Sequence, residues 1–216
     1  MKIKYIGHSC FLFTAVDETA VIIDPYKSGA YGGSLTYAPI TDSAHIAVLT
    51  HDHEDHAAVD QLSNSPLVVR TSSRTHGIDF DAIETFHDDS GGSERGANRV
   101  FVIEMDEIRL CHLGDLGHLL NEQQQQSIGR VDVLMIPVGG HFTIGPQEAD
   151  QVVEQLQPRI VIPMHFKTDR CGFPIESAET FLADKNEVRR STSSEVILRK
   201  EDVPEKRTFL YLPPSN

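Results

Sequence analysis

A single mixed α/β domain is the fold class that this sequence predicts, and three observations predict it. Ten short runs rich in β-branched and aromatic residues punctuate the chain, four helical stretches lie among them, and no repeat or long linker divides the 216 residues. The strand-like runs are 3–14, 20–24, 46–50, 67–69, 82–86, 99–104, 108–113, 131–138, 160–164 and 208–212, each bounded by turn residues. The first alternates along KIKYIGHSCFLFT, as a half-buried strand does. Helices are expected at 57–62, 121–128, 146–156 and 177–182. Pro146 near the start of the third, with Gln147, Glu148 and Asp150 close behind, is what a helix N-terminus prefers. The Gln123–Gln126 run reads as a solvent-facing patch of the second. Residues 28–40, SGAYGGSLTYAPI, read as a long loop, and long loops in compact domains are often functional.

Composition narrows the function. With 39% hydrophobic and 24% charged residues, the chain has the make-up of a soluble enzyme with a substantial core, spanning 1–216 as one domain. Nineteen basic against 32 acidic residues give a net charge of −13, which disfavours nucleic acid as a partner. No apolar run approaches a membrane span, and the N-terminus lacks the continuous apolar core of an export signal. Three sparse cysteines, Cys10, Cys111 and Cys171, without CxxC spacing, suggest reduced thiols in a cytoplasmic protein.

The chemistry sits at strand ends. AVIID closes on Asp24, IAVLTH on His51, IETFH on His87, IRLCHLGD on Asp115 and IVIPMH on His165. Strand ends at one sheet edge converge in space while remaining distant in sequence. The segment LTHDHEDH, 49–56, is the densest of these ends. In extended backbone His51 and His53 face the same way and offer two imidazoles to one ion; Asp55 and His56 follow as the chain turns and serve a second. No cysteine lies near, so the donors are nitrogen and oxygen, as for zinc, manganese or iron in catalysis.

THDHEDH, with Asp24, His87, the GD of HLGDLGH and the histidine of PMH, resembles the metallo-β-lactamase fold hydrolases, whose motif is HxHxDH with downstream His, Asp and His. GHSC, IIDPY, HLGDLGH, PVGGHFTI and PRIVIPMHFKT resemble its compact zinc-dependent branch, related to the L-ascorbate 6-phosphate lactonase group and more distantly to N-acyl phosphatidylethanolamine phospholipase D. The resemblance implies a four-layered αβ/βα sandwich with metals at one edge. It implies His51, His53 and His87 on one ion, Asp55, His56 and His165 on a second, and Asp115 bridging them. Asp24 is implied to orient the metal-binding loop from behind by hydrogen bonding. Asp88 and Asp89, beside His87, either compete as ligands or support it.

The implied activity is hydrolysis of a small ester, lactone or phosphodiester by a hydroxide bridged between two divalent ions, Zn2+ first and Mn2+ or Fe as alternatives. Asp55 is expected to take the proton of the water. His141 and His118 are candidates to protonate the leaving group or bind substrate, or else anchor the bases of their loops. His8 either reaches the site or is a buried structural histidine, and Lys167, with Arg170 second, is a candidate for an anionic substrate group. The loops 26–40, 88–98, 141–145 and 168–175 are expected to set specificity. Two further function classes stand beside this one. A di-iron redox protein would need a flavin domain for which the chain has no room after residue 216, and a metal-ordered binding module would show no turnover. A small soluble substrate and a possible homo-oligomer complete the expectations, with no membrane partner.

Overall fold

The computed structural model describes residues 1–215. In chain order the elements are β1 (Lys2–Gly7), β2 (Cys10–Thr14), β3 (Ala20–Ile23), the single turn α1 (Ala30–Gly33), β4 (Ile46–Val48), β5 (Leu67–Val69), β6 (Ser73–Thr75), β7 (Ile78–Phe86), β8 (Ala97–Met105) and β9 (Ile108–His112). There follow α2 (Glu122–Ile128), β10 (Val133–Pro137), α3 (Pro146–Leu156), β11 (Ile160–Met164), α4 (Ala178–Leu182), β12 (Val188–Arg190), β13 (Glu195–Ile197) and β14 (Thr208–Tyr211). Six strands pair in the order β13-β1-β2-β3-β4-β5, and eight in the order β12-β14-β11-β10-β9-β8-β7-β6.

Alternation along the first strands explains how the sheets stack. In β1 to β4, Ile3, Tyr5, Phe11, Phe13, Val21, Ile23, Ile46 and Val48 point into the main core between the sheets. Their neighbours Ile6, Cys10, Leu12, Ala20, Ile22 and Ala47 point to the opposite face. There the loops carrying Tyr26, Leu35, Tyr37 and Ile40 cover them. On the far side of the eight-stranded sheet, α3 buries Ala149, Val152, Val153 and Leu156, and α4 buries Ala178, Phe181 and Leu182, in the main core cluster. The expected sandwich is thus present, although its layer over the six-stranded sheet is mostly loop.

Local chemistry sets the boundaries. Asn121 caps α2 by accepting the Gln124 N–H at 2.9 Å, and Gln124 Oε1 accepts the Asn121 N–H at 3.0 Å, a reciprocal capping box. Pro146 is the first residue of α3, and Glu148 accepts the N–H of Gly145 at 3.1 Å. The run 3–14 is two strands, not one: the chain reverses at His8 and Ser9, and His8 has φ 56°. The helix expected at 57–62 is only a 3-10 turn, Val59–Gln61. The N–H of Ala58 goes to Pro25 O at 2.9 Å, and Ser63-Asn64-Ser65-Pro66 stops the run before a second turn. Strands β6, β12 and β13 are three residues each and lie at sheet edges; β6 and β12 carry almost no hydrophobic signal, and β13, Glu-Val-Ile, is too short to stand out.

Among the described residues no helix is long and apolar enough to cross a membrane.

Candidate metal centre

β3, β4, β7, β9 and β11 deliver their C-terminal ends to one edge of the sandwich. Asp24, the segment 51–56, His87, Asp115 and His165 follow those ends directly. Three of the turns are strained: His8, Asp24 and His165 have φ of 56°, 48° and 49°, a region that non-glycine residues seldom enter. All three are buried, so the surrounding packing enforces the strain.

Two glycines let the turns meet. A Cβ on Gly117 would overlap the backbone of His87 and Asp88, and one on Gly139 would overlap the carbonyl oxygen of His165. Glycine at these positions seats two ligand-bearing turns against neighbouring loops.

Potential ligand atoms gather in three groups, each with its atoms within 4.8 Å of one another: His51, His53 and His87; His8, Asp55, His56 and His165; and Asp24, His51 and His56. Asp115 lies among them. Its Oδ2 is 3.0 Å from His87 Nε2, 3.2 Å from His56 Nε2, 3.4 Å from His165 Nε2 and 3.8 Å from His51 Nε2. Asn98 Oδ1 holds the turn by accepting the Asp115 N–H at 3.0 Å, and Asn98 Nδ2 donates to Thr85 Oγ1 and Leu113 O. Asn98 sits inside β8, with no sequence signal to single it out.

Hydrogen bonds behind the cluster decide which imidazole atoms face it. Asp24 Oδ1 accepts the Thr50 N–H at 2.9 Å, and Oδ2 accepts both Thr50 Oγ1–H at 2.7 Å and His56 Nδ1–H at 2.9 Å. With its proton given to Asp24, the Thr50 hydroxyl accepts from His51 Nδ1–H at 2.9 Å. His87 Nδ1–H donates to Phe142 O at 3.1 Å. All three rings therefore turn Nε2 toward the centre. His112 is set apart in the layer beneath, its Nε2 donating to Ser9 O at 2.9 Å.

The residues fit a cation. His51 Nε2, His56 Nε2, His165 Nδ1, His8 Nδ1 and Asp115 Oδ1 are buried without a hydrogen-bond partner among the described residues. Buried polar atoms of that kind normally have partners, and buried carboxylates are normally paired or coordinate metal. The field has the matching sign. Burial alone would raise the carboxyl pKa of Asp55 and Asp115, yet the surrounding imidazoles outweigh it and hold both below the usual carboxylate range. Burial likewise pushes His56 down, but Asp115, Asp55 and Asp24 outweigh it and raise this imidazole well above its ordinary value. Burial, reinforced by His56, brings His51 down to about 3, and burial with His165 brings His8 to about 4. These two rings are neutral and ready to donate lone pairs.

Over this floor opens a cavity of 370 Å³, lined by His53, Asp55, His87, Asp115 and His165 and walled by Tyr31, Arg95, Phe142 and Phe173. The four wall residues come one each from the loops expected to set specificity, although the sequence reading named none of them. Tyr31, in the α1 turn, donates its hydroxyl to Asp55 Oδ1 at 3.1 Å, and His8 Nε2–H donates to Asp55 Oδ2 at 3.0 Å. His8 is thus at once buried, hydrogen-bonded and part of the site.

Other candidates lie elsewhere. His118 is half-buried and accepts the Phe86 N–H at 3.1 Å while Nδ1 donates to Leu119 O at 2.8 Å, so both nitrogens serve backbone. His141 is exposed and packs on Phe142, outside the cavity lining. Lys167 donates to Phe173 O at 2.7 Å, supporting the wall instead of entering the cavity, and the Arg170 guanidinium lies 3.5 Å from Thr36 O. Asp88 accepts four backbone N–H bonds, from Ser90, Gly92, Glu94 and Arg95, at 2.8–3.0 Å. Burial raises its pKa, but these donors outweigh it and bring it to about 2. Asp88 fixes a loop, and Asp89 is exposed.

Comparison with known proteins gives consistent relatives. A family model described as "Beta-lactamase superfamily domain" matches residues 2–165. A UPF0173 metal-dependent hydrolase from Thermococcus onnurineus is 29% identical over 199 residues, covering 78% of this chain and 85% of the relative. A structure of a metallo-beta-lactamase superfamily protein from Thermotoga maritima is 31% identical with TM-score 0.79, over 98% of this chain and 97% of that one. CmlA, a diiron β-hydroxylase from Streptomyces venezuelae, is 16% identical with TM-score 0.58 over 79% of this chain and 46% of its own, and shares the fold alone.

Proposed function

The chain belongs to the metallo-β-lactamase superfamily and is a metal-dependent hydrolase, and on that premise we propose that two divalent cations at its centre serve the cleavage of a small ester, lactone or phosphodiester. His51, His53 and His87 hold one cation, Asp55, His56 and His165 hold the other, and Asp115 is shared. The observation that supports a pair is the position of Asp115 Oδ2, within 3.0–3.8 Å of imidazole nitrogens from both sets. The donors are imidazole and carboxylate throughout, which suits Zn2+ first and Mn2+ or Fe as alternatives.

When bound, such cations supply a water of lowered pKa and polarise the scissile carbonyl or phosphoryl group. The chain's own residues do the rest. Asp55, held through both oxygens by His8 and Tyr31, is the carboxylate that orients the water at the cavity floor. Asp24, Thr50 and the Phe142 carbonyl hold His56, His51 and His87 in the tautomer that ligation needs. Phe142 and Phe173 narrow the access of bulk water. Because His118 and His141 lie outside the cavity lining, neither is assigned the leaving-group proton.

Elemental analysis of protein purified without added metal tests the pair. About two zinc or manganese ions per chain are expected in the wild type, falling in both His53→Ala and Asp115→Ala. Turnover of aryl esters, lactones and bis(4-nitrophenyl) phosphate that disappears on chelation and returns with metal is the expected activity. One ion per chain refutes the dinuclear reading; full metal with no turnover refutes catalysis. An iron-specific optical spectrum would favour the redox alternative.

A further inference from the structure

The wall of the cavity carries chemistry that hydrolysis of a generic ester does not call for. Tyr31, Phe142 and Phe173 form a continuous aromatic surface, with Phe173 edge-on to Tyr31 at 5.5 Å and to Phe142 at 5.4 Å between ring centroids. The Arg95 guanidinium stands over the Phe142 ring at 5.9 Å. In a chain of net charge −13, this is the one lysine or arginine among the described residues of the cavity lining. We infer that the substrate is a carboxylate-bearing ester or lactone with an apolar or aromatic segment: the scissile group on the histidine and aspartate floor, the apolar segment against Phe142 and Phe173, and the free carboxylate on Arg95. The inference rests on the hydrolase reading for the scissile group alone.

Arg95 is built into place. Its backbone N–H donates to Asp88 Oδ2 at 2.8 Å, and the three other N–H bonds to Asp88 fix the rest of the loop, directly after the ligand His87. The backbone of Arg95 is therefore tied to the floor of the site through seven residues of hydrogen-bonded turn, and the Phe142 ring lies under its guanidinium. Among the described residues its guanidinium makes an ion pair with Glu94, whose Oε2 lies 3.2 Å from one terminal nitrogen. That pair is exposed at the mouth and weak, and it leaves most of the five guanidinium donors for a planar bidentate partner. A phosphate monoester, carrying about −1.5 to −2 at pH 7, would meet stronger repulsion from Glu94 and from the chain's net charge than a carboxylate does, which argues for carboxylate. At 370 Å³ the cavity lies toward the small end of ligand pockets, so the substrate is a metabolite of modest size.

Two readouts test this, one of them independent of turnover. The first is calorimetric binding to metal-replete protein of benzylsuccinate, with two carboxylates, against 4-phenylbutyrate, with one. The second is hydrolysis of 4-nitrophenyl hydrogen succinate against 4-nitrophenyl butyrate. Wild type is expected to prefer the second carboxylate by about 10- to 100-fold in both, the worth of a hydrogen bond to a charged group. Arg95→Met, whose melting temperature verifies folding, should erase the preference by weakening only the more anionic member, and Arg95→Lys should restore part of it. Succinate should bind more weakly than benzylsuccinate, and Phe173→Ala should close that gap. Equal affinities in wild type, absence of binding, or a preference that survives Arg95→Met overturns the assignment. A binding preference present without turnover of either ester refutes the hydrolytic reading while upholding the carboxylate site.

Discussion

Replacing Asp24 with asparagine changes one oxygen to an NH2 group and tests how the centre is held together. Asp24 is fully buried and accepts three hydrogen bonds, two from Thr50 and one from His56. An asparagine oxygen kept over the Thr50 N–H places its NH2 against Thr50 Oγ1 and His56 Nδ1. The hydroxyl must then turn its proton toward His51 Nδ1, and His56 must accept at Nδ1. Both rings are thereby driven to carry their proton on Nε2, the atom facing the cluster. The opposite orientation sets NH2 against the Thr50 N–H. Loss of such an orienting partner typically lowers metal affinity 10- to 100-fold, or about 1.4–2.8 kcal/mol. One charge-assisted bond lost from the metal-free fold costs about 2 kcal/mol, roughly 4–8 °C in Tm for a chain of this size. Competition against a chromogenic chelator measures the first and thermal unfolding of the metal-free protein the second. Thr50→Val serves as a companion, expected to weaken the set containing His51 more than the set containing His165. Wild-type affinity in Asp24→Asn, with Tm unchanged within about 1 °C, would refute the idea that this carboxylate sets the tautomers.

Gly117→Ala should lower metal affinity without touching a ligand, because the added Cβ displaces the His87–Asp88 backbone; a variant with wild-type metal content and activity would remove that turn from the account. Asp132, away from the centre, gives the pH dependence. Burial raises its pKa, but Arg130, the Arg109 N–H and Lys200 outweigh it and hold the carboxyl below its ordinary value. A folded-state pKa below the unfolded value of about 3.9 means that the unfolded chain binds the proton first. The stability from Asp132 is therefore complete above about pH 4 and is lost as pH falls through the folded value. Asp132→Asn should lower Tm at pH 7, and the gap from wild type should shrink in acid; a gap independent of pH would contradict the assignment.

The framework and the centre were legible for different reasons. Strands β3, β4, β10 and β11 are continuous apolar runs, and the ligands stand at strand ends, where a histidine or aspartate after an apolar run is conspicuous. The four wall loops were legible by length and position, but Tyr31 and Arg95 were not, since nothing local distinguishes a loop side chain facing a cavity from one facing water. The same indeterminacy applies to His118 and His141, which follow the site segments closely in sequence but stand outside the cavity lining. Lys167 follows His165 closely enough to suggest a substrate cation, and only the fold gives its ammonium the Phe173 carbonyl as a partner. Asn98 was hidden because its work is done across β8 and β9, on partners that only the folded sheet brings near.

The spread of the ligands along the chain has a consequence for synthesis. The cluster at 51–56 leaves the ribosome more than a hundred residues before His165, an interval of roughly 5–20 s at ordinary elongation rates. During it the nascent chain can offer a passing ion only a loose, water-open chelate. The enclosed set closes late, when the His165 N–H reaches the His8 carbonyl at 2.8 Å and joins the two sheets. The donor set that includes His165 is thus complete only once β11 has docked beside β10, long after the histidine motif has been made.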